Sequence, residues 1–222
     1  MSTFRRAFSS SVGTKLLMGL TGLALFAYLI LHLIGNALIL AGPETFNQYS
    51  HRLVSNPLVI PIEIGLLAIF LLHVYKAFTN YLANRTARPV GYKMKKFARH
   101  TSRKSVASST MIWSGIVIAL FVMVHVKQFK YGAWYQTLGE NPVRDLARTE
   151  FEVFSHPIWV SFYFVATLIV GLHLRHGIAS SFQSLGIDHP LYTRRLTIWG
   201  IIFAVIIGGG LACIPVWVYL TH

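Results

Sequence analysis

Five long apolar runs constrain this chain more than any other feature. They cover about 15–40, 57–82, 107–128, 157–181 and 196–220. Roughly 20 consecutive apolar residues, coiled as a helix, cross the hydrocarbon core of a bilayer. In that medium each backbone N–H and C=O must be paired within its own segment, which a helix achieves unaided. The sequence therefore reads as all-α, a single integral membrane bundle of five transmembrane helices over 1–222. Composition agrees: 12% of residues are charged, against about 25% in soluble domains. Neither tandem repeats nor low-complexity tracts are evident, and no soluble domain fits in what remains.

The formal net charge of +13 raises nucleic acid as a partner, but the basic residues cluster beside the apolar runs. That placement fits membrane topology and anionic lipid headgroups better. Arg5, Arg6 and Lys15 precede the first run. The segment around 76–104, from the end of the second run onward, holds Lys76, Arg85, Arg88, Lys93, Lys95, Lys96, Arg99, Arg103 and Lys104 with no acid among them. Arg194 and Arg195 face Asp188 before the fifth. The 41–56 connection holds only Arg52, and 127–156 balances its cations with Glu140, Asp145, Glu150 and Glu152. Because cytoplasmic loops carry the excess of Lys and Arg, the N-terminus is expected inside and the C-terminus outside. The Arg- and Ser-containing start resembles a targeting segment. The run from Leu16 to Leu40 is nevertheless too long for a signal-peptide core and no A-x-A-like site follows, so it reads as a retained first helix.

Gly42-Pro43 should end the first helix, and Asn56-Pro57 and His156-Pro157 should open the second and fourth. Gly208-Gly209-Gly210 offers a flat face for close helix packing. The one cysteine, Cys213, forms no internal disulfide or iron–sulfur cage and reads as a small packing residue.

Ionisable residues inside a bilayer are rare and usually functional. Four of the ten histidines, His32, His73, His125 and His173, lie well inside the first four helices, one on each. At about 1.5 Å of rise per residue, His32 and His125 both lie roughly 26 Å from the inner ends of their helices. His73 and His173 lie roughly 14 Å and 12 Å from theirs, giving two levels roughly 12 Å apart. Two axial imidazoles from facing helices at each of two depths suit two haems, six-coordinate and directed to electron transfer. Histidines also bridge helices simply by hydrogen bonds. Zinc would call for three or four converging ligands, and each level supplies two. His176, three residues after His173, shares a similar face, so spacing alone leaves both open as ligand while depth favours His173. Arg175 and His176 are candidates to meet a haem propionate, with Arg175 equally suited to reach headgroups. His51, His100, His156, His189 and His222 fall in loops or at helix ends.

Several local patterns carry a family resemblance. They are His32-Leu33 with Asn36, Phe46-Asn47 with His51, His73-Val74-Tyr75, His125-Val126, and His173 with Gly177 running into Ser181-Phe182 and Gly186. In this order and spacing the chain resembles the cytochrome b subunit of succinate dehydrogenase and fumarate reductase, in the single-anchor, five-helix, di-haem branch, over nearly its whole length. The resemblance implies two haems b, a distal one held by His32 and His125 and a proximal one by His73 and His173. It also implies a flavoprotein and an iron–sulfur subunit on the inner face, a bacterial cytoplasmic membrane, and a complex that could assemble further. The basic 76–104 segment would form part of the docking surface. Electrons from succinate would cross the membrane to a quinone, expected to be menaquinone, at the outer side, helped by about 2.3 kcal/mol per 100 mV of potential. Fumarate reduction would run the same chain backwards. Asn47, Gln48, His51 and Glu63 are the candidates for the quinone site. Two other readings stand beside this one. The first is the di-haem anchor of a hydrogenase, formate dehydrogenase or nitrate reductase, whose ligands commonly share a helix. The second is a transporter or plain anchor without haem.

Overall fold

The computed structural model describes residues 10–87 and 109–222, and all structural statements concern these. The described chain is helical, and five segments are long and apolar enough to cross a membrane: Ser11–Ala41, Val59–Thr86, Met111–Phe129, Pro157–Ser184 and Leu191–Thr221. Arg5, Arg6, His100 and the basic residues from Arg88 to Lys104 lie outside the described residues, and with them most of the expected docking segment.

Helix α1 (Ser11–Ala37) starts at Ser10, whose side chain accepts the Gly13 N–H at 3.0 Å. It tightens into a 3-10 turn, Leu38–Ala41, and stops at Gly42, whose φ of 119° only glycine adopts readily. Pro43 then opens a short helix α2 (Pro43–Val54). Helix α3 (Val59–Thr86) begins two residues later than the Pro rule suggested. Pro57 sits in the preceding turn, where Asn56 Oδ1 accepts the Leu58 N–H at 2.9 Å. Helix α4 (Met111–Phe129) leads through an irregular connection to α5 (Leu146–Phe154), whose cap Asp145 accepts the Arg148 N–H. His156-Pro157 does open α6 (Pro157–Ser184). The last span is α7 (Pro190–Ala204), a π-helical turn Val205–Gly209, and α8 (Gly210–Thr221).

The short helices α2 and α5 lie in stretches expected to be plain loops. Both are too short and polar to register as spans, and their order comes from packing on each other. Asn47 clamps them together. Its amide donates to Asp145 Oδ1 at 2.7 Å and its carbonyl accepts the Ala147 N–H at 2.9 Å. Phe46, Ile39, Ala147 and Ile214 close a buried cluster around this clamp.

Four of the spans form a ring. Helix α1 packs on α3 and α6, and α4 packs on the same two. Thus α1 stands diagonally across from α4, and α3 from α6. The fifth span lies outside the ring, along α6. Here the glycine face works as expected. A Cβ on Gly208 would sit 2.7 Å from Gly171 Cα, so the two backbones touch. Val170, Leu174, Ile178 and Ile207 fill the seam between α6 and this span. Helices α3 and α4 bury no residue fully, and their outer faces, with Leu67, Trp113 and Met123, are exposed in the manner of lipid-facing surface.

The ring also reveals a repeat too diverged to read as tandem copies. Thr21-Gly22 and Ser114-Gly115 each precede a histidine, His32 and His125, by the same interval, with Tyr28 and Phe121 one turn before it. Ser55-Asn56-Pro57 and Ser155-His156-Pro157 likewise precede His73 and His173 at equal distance. Segment α1–α2–α3 therefore corresponds to α4–α5–α6, and the diagonal partners are equivalent helices.

Candidate functional site: two diagonal histidine pairs

Each diagonal carries one pair. On α1 and α4, the rings of His32 and His125 lie with centroids 5.7 Å apart and planes at 83°. The sequence-level pairing of His32 with His125 is thus a direct neighbourhood in the fold. Tyr28 stacks on His32 at 5.4 Å and Phe121 lies against His125 at 5.8 Å, the two repeat-related aromatics each backing its own histidine. Asn36 and the Tyr28 hydroxyl approach His32 Nδ1 at 3.4 Å. His125 Nδ1 is buried without a hydrogen-bond partner, a state that buried polar nitrogens seldom tolerate.

The other diagonal carries His73 and His173, and both are held from the neighbouring helix. Thr21 Oγ1 lies 3.0 Å from His73 Nδ1, and Ser114 Oγ 2.9 Å from His173 Nδ1. Each hydroxyl has a single proton, and each gives it to its own helix. Thr21 donates to Leu17 O at 2.6 Å and Ser114 to Met111 O at 3.0 Å. The hydroxyls are therefore left as acceptors toward the imidazoles. This network assigns the Nδ1–H tautomer to both histidines, with an unprotonated Nε2. Beside them the helix surface is bare. A Cβ on Gly22 would meet His73 Cε1 at 3.5 Å, and one on Gly115 would meet His173 Cε1 at 3.6 Å.

The two levels follow from the same residues. Thr21 and His32, like Ser114 and His125, are eleven residues apart, which is roughly 16 Å along a helix. Thr21 and Ser114 were not singled out from sequence, yet the hydroxyl-glycine pair at a fixed interval before His32 and before His125 was the signal for both.

A bis-histidine haem can be tested against this arrangement. A metal–imidazole bond of about 2 Å on each side would put two ring centroids roughly 6 Å apart, close to the separation of His32 and His125. A neutral imidazole with Nδ1 hydrogen-bonded and Nε2 bare is the form that ligates a metal, and His73 and His173 have their Nδ1 so engaged. The donor sets fit. Among the described residues no three of His, Cys, Asp or Glu converge on a point.

His176 is half-buried one turn past His173, and the Arg175 side chain is exposed. The residues of the 41–63 region are dispersed. Asn47 is buried with both ends of its amide engaged in the α2–α5 clamp. Gln48 is exposed and donates to Glu44, while His51 is exposed beside Ser55. Glu63 forms an ion pair with Lys130 across α3 and α4. One acid not singled out from sequence is fully buried: Glu150 of α5, whose Oε2 is without a hydrogen bond and whose carboxyl is pushed by burial up to about 8.

Compared with known proteins, the chain matches no family model, no curated protein and no solved structure.

Proposed function

We propose that the chain is a di-haem cytochrome b that anchors a quinone-linked dehydrogenase in the membrane, a succinate dehydrogenase or fumarate reductase by its resemblance. One observation carries the reading: four histidines fall on two diagonals of one four-helix ring, paired at two depths. Two haems b, when bound, supply a one-electron relay from one side of the bilayer toward the other. His32 and His125 would hold the outer group, and His73 and His173 the inner.

The protein's own residues do the rest. Thr21 and Ser114 fix the tautomer and orientation of the inner ligands, and Tyr28 and Phe121 back the outer ones. Two protein ligands to each iron would leave no open position, which would direct the centre to electron transfer and away from oxygen. The distribution of Lys and Arg supports an inside N-terminus and outside C-terminus. On that topology an iron–sulfur subunit and its flavoprotein would meet the inner pair, and quinone the outer pair, in a bacterial cytoplasmic membrane.

The test is haem b per polypeptide, by pyridine haemochrome, on the full chain purified in detergent. Two haems in the wild type, with one lost in His32→Ala and one in His73→Ala, are expected. A folded preparation that binds no haem overturns the reading and brings the non-haem anchor or transporter forward.

A further inference from the structure

Between the end of α4, the start of α6 and the short helix α5 lies a cleft of about 510 Å³. That volume lies within the usual range of small-molecule sites. Val124, Val153, Trp159 and Tyr131 give it apolar and aromatic walls, and Thr149 and Gln128 add polar groups. Gln128 is held in a defined orientation. The Tyr163 hydroxyl donates to its Oε1 at 2.7 Å, which leaves the two Nε2 hydrogens as donors. Tyr163 also joins the cleft to the outer pair, its ring lying 6.0 Å from the His125 ring. Gln128 itself follows His125 by less than one helical turn.

We propose that this cleft seats the headgroup of a membrane quinone, with the Gln128 carboxamide hydrogen-bonded to a quinone carbonyl. The proposal rests on the cytochrome reading and moves the quinone away from the 41–63 segment, whose Asn47, Gln48 and Glu63 already have protein partners.

The chemistry of the walls selects the occupant. A flat, uncharged diketone needs an aromatic face and a neutral donor, which Trp159 and Gln128 provide. A phosphate headgroup would need a cluster of cations. Here Lys127 is the one cation lining the cleft, and the carboxylate of Glu152 lines it too, held by Arg148 at 3.2 Å and the Tyr135 hydroxyl at 2.6 Å. The position at the end of α4, beside one of the spans, gives an isoprenoid tail direct access to the lipid.

The experiment is calorimetric titration of the full chain in detergent with 2,3-dimethyl-1,4-naphthoquinone, with haem content measured on the same samples. Saturable binding is expected in the wild type, at least about ten-fold weaker in Gln128→Leu and in Val153→Trp, which fills the cleft. Haem content should be unchanged in both. No saturable binding in the wild type would overturn the proposal. So would wild-type affinity in both variants, or loss of affinity in Glu63→Gln and His51→Ala alone. Displacement of the quinone by phosphatidylglycerol at equal concentration would assign the cleft to lipid and also overturn it. Failure of this kind with two haems retained leaves the cytochrome reading intact. Loss of that reading would instead show as absent haem with Gln128-dependent quinone binding preserved.

Discussion

Ser114 Oγ accepts the Nδ1–H of His173 across the α4–α6 interface at 2.9 Å, having given its own proton to Met111 O. Thr21 repeats the arrangement with His73. Such outer partners fix ring orientation and raise ligand basicity, and their loss typically lowers metal affinity about 10–100-fold. On the di-haem reading, Ser114→Ala and Thr21→Val should each weaken retention of the inner haem by about that factor and leave the outer one in place. Haem titration of the apoprotein, followed by the optical difference spectrum, measures it. The midpoint potential of the inner haem should also rise, since a weaker donor stabilises ferric iron less.

Asn47 closes the two short helices onto each other from a position 3% exposed. Asn47→Ala leaves the Ala147 N–H without a partner and Asp145 Oδ1 with only the Arg148 N–H, at a cost of about 1–3 kcal/mol. Thermal unfolding in detergent should show a lower midpoint. Haem stoichiometry should be unaffected, which would separate this structural role from a role in the site.

Glu150 makes stability depend on pH in a direction that can be worked out. Burial raises its carboxyl from 4.5 to about 8. Between those values the folded chain keeps a proton that the unfolded chain releases. Stability then falls as pH rises through that window, by about a few kcal/mol in all. Glu150→Gln removes the titration. The melting temperature of the wild type should drop relative to the variant between about pH 5 and pH 8 and run parallel to it above. A constant difference between the two across that range would show that the carboxyl is not held neutral by burial.

Gly208 and Gly171 allow α6 and the last span to touch backbone to backbone. Gly208→Ala places a methyl 2.7 Å from Gly171 Cα and 3.1 Å from Thr167 O, atoms that cannot swing aside. The expected penalty is about 1–3 kcal/mol, read as a lower melting temperature. Gly209→Ala, which meets nothing within 4 Å, is the control and should change little.

The spans were legible because a bilayer demands length and apolarity, two properties a sequence states openly. The pairing of His32 with His125 was legible for a related reason: depth depends only on counting along helices. What counting could not supply was which helices stand opposite each other, since ring order is decided by contacts such as Gly171 on Gly208 and Gly19 on Ser181. Thr21 and Ser114 escaped notice because an intramembrane hydroxyl usually satisfies itself on its own helix, as both do. Only the lateral approach of an imidazole gives them a second role. The short helices α2 and α5 were hidden by their polarity, and the Asn47 clamp by joining residues about a hundred positions apart. Glu150 looked like one more acid in a mixed-charge loop until the fold buried it.

The correspondence between the two halves means that half the information would suffice. A chain ending after α3, pairing with a second copy of itself about the axis of the ring, would set two equivalent histidines on each diagonal. On the di-haem reading, the minimal unit for two stacked centres would be a helical hairpin with one histidine on each arm. In the single longer chain the halves can differ: the Gln128 cleft lies in the second, and the Asn47 clamp ties the first to it.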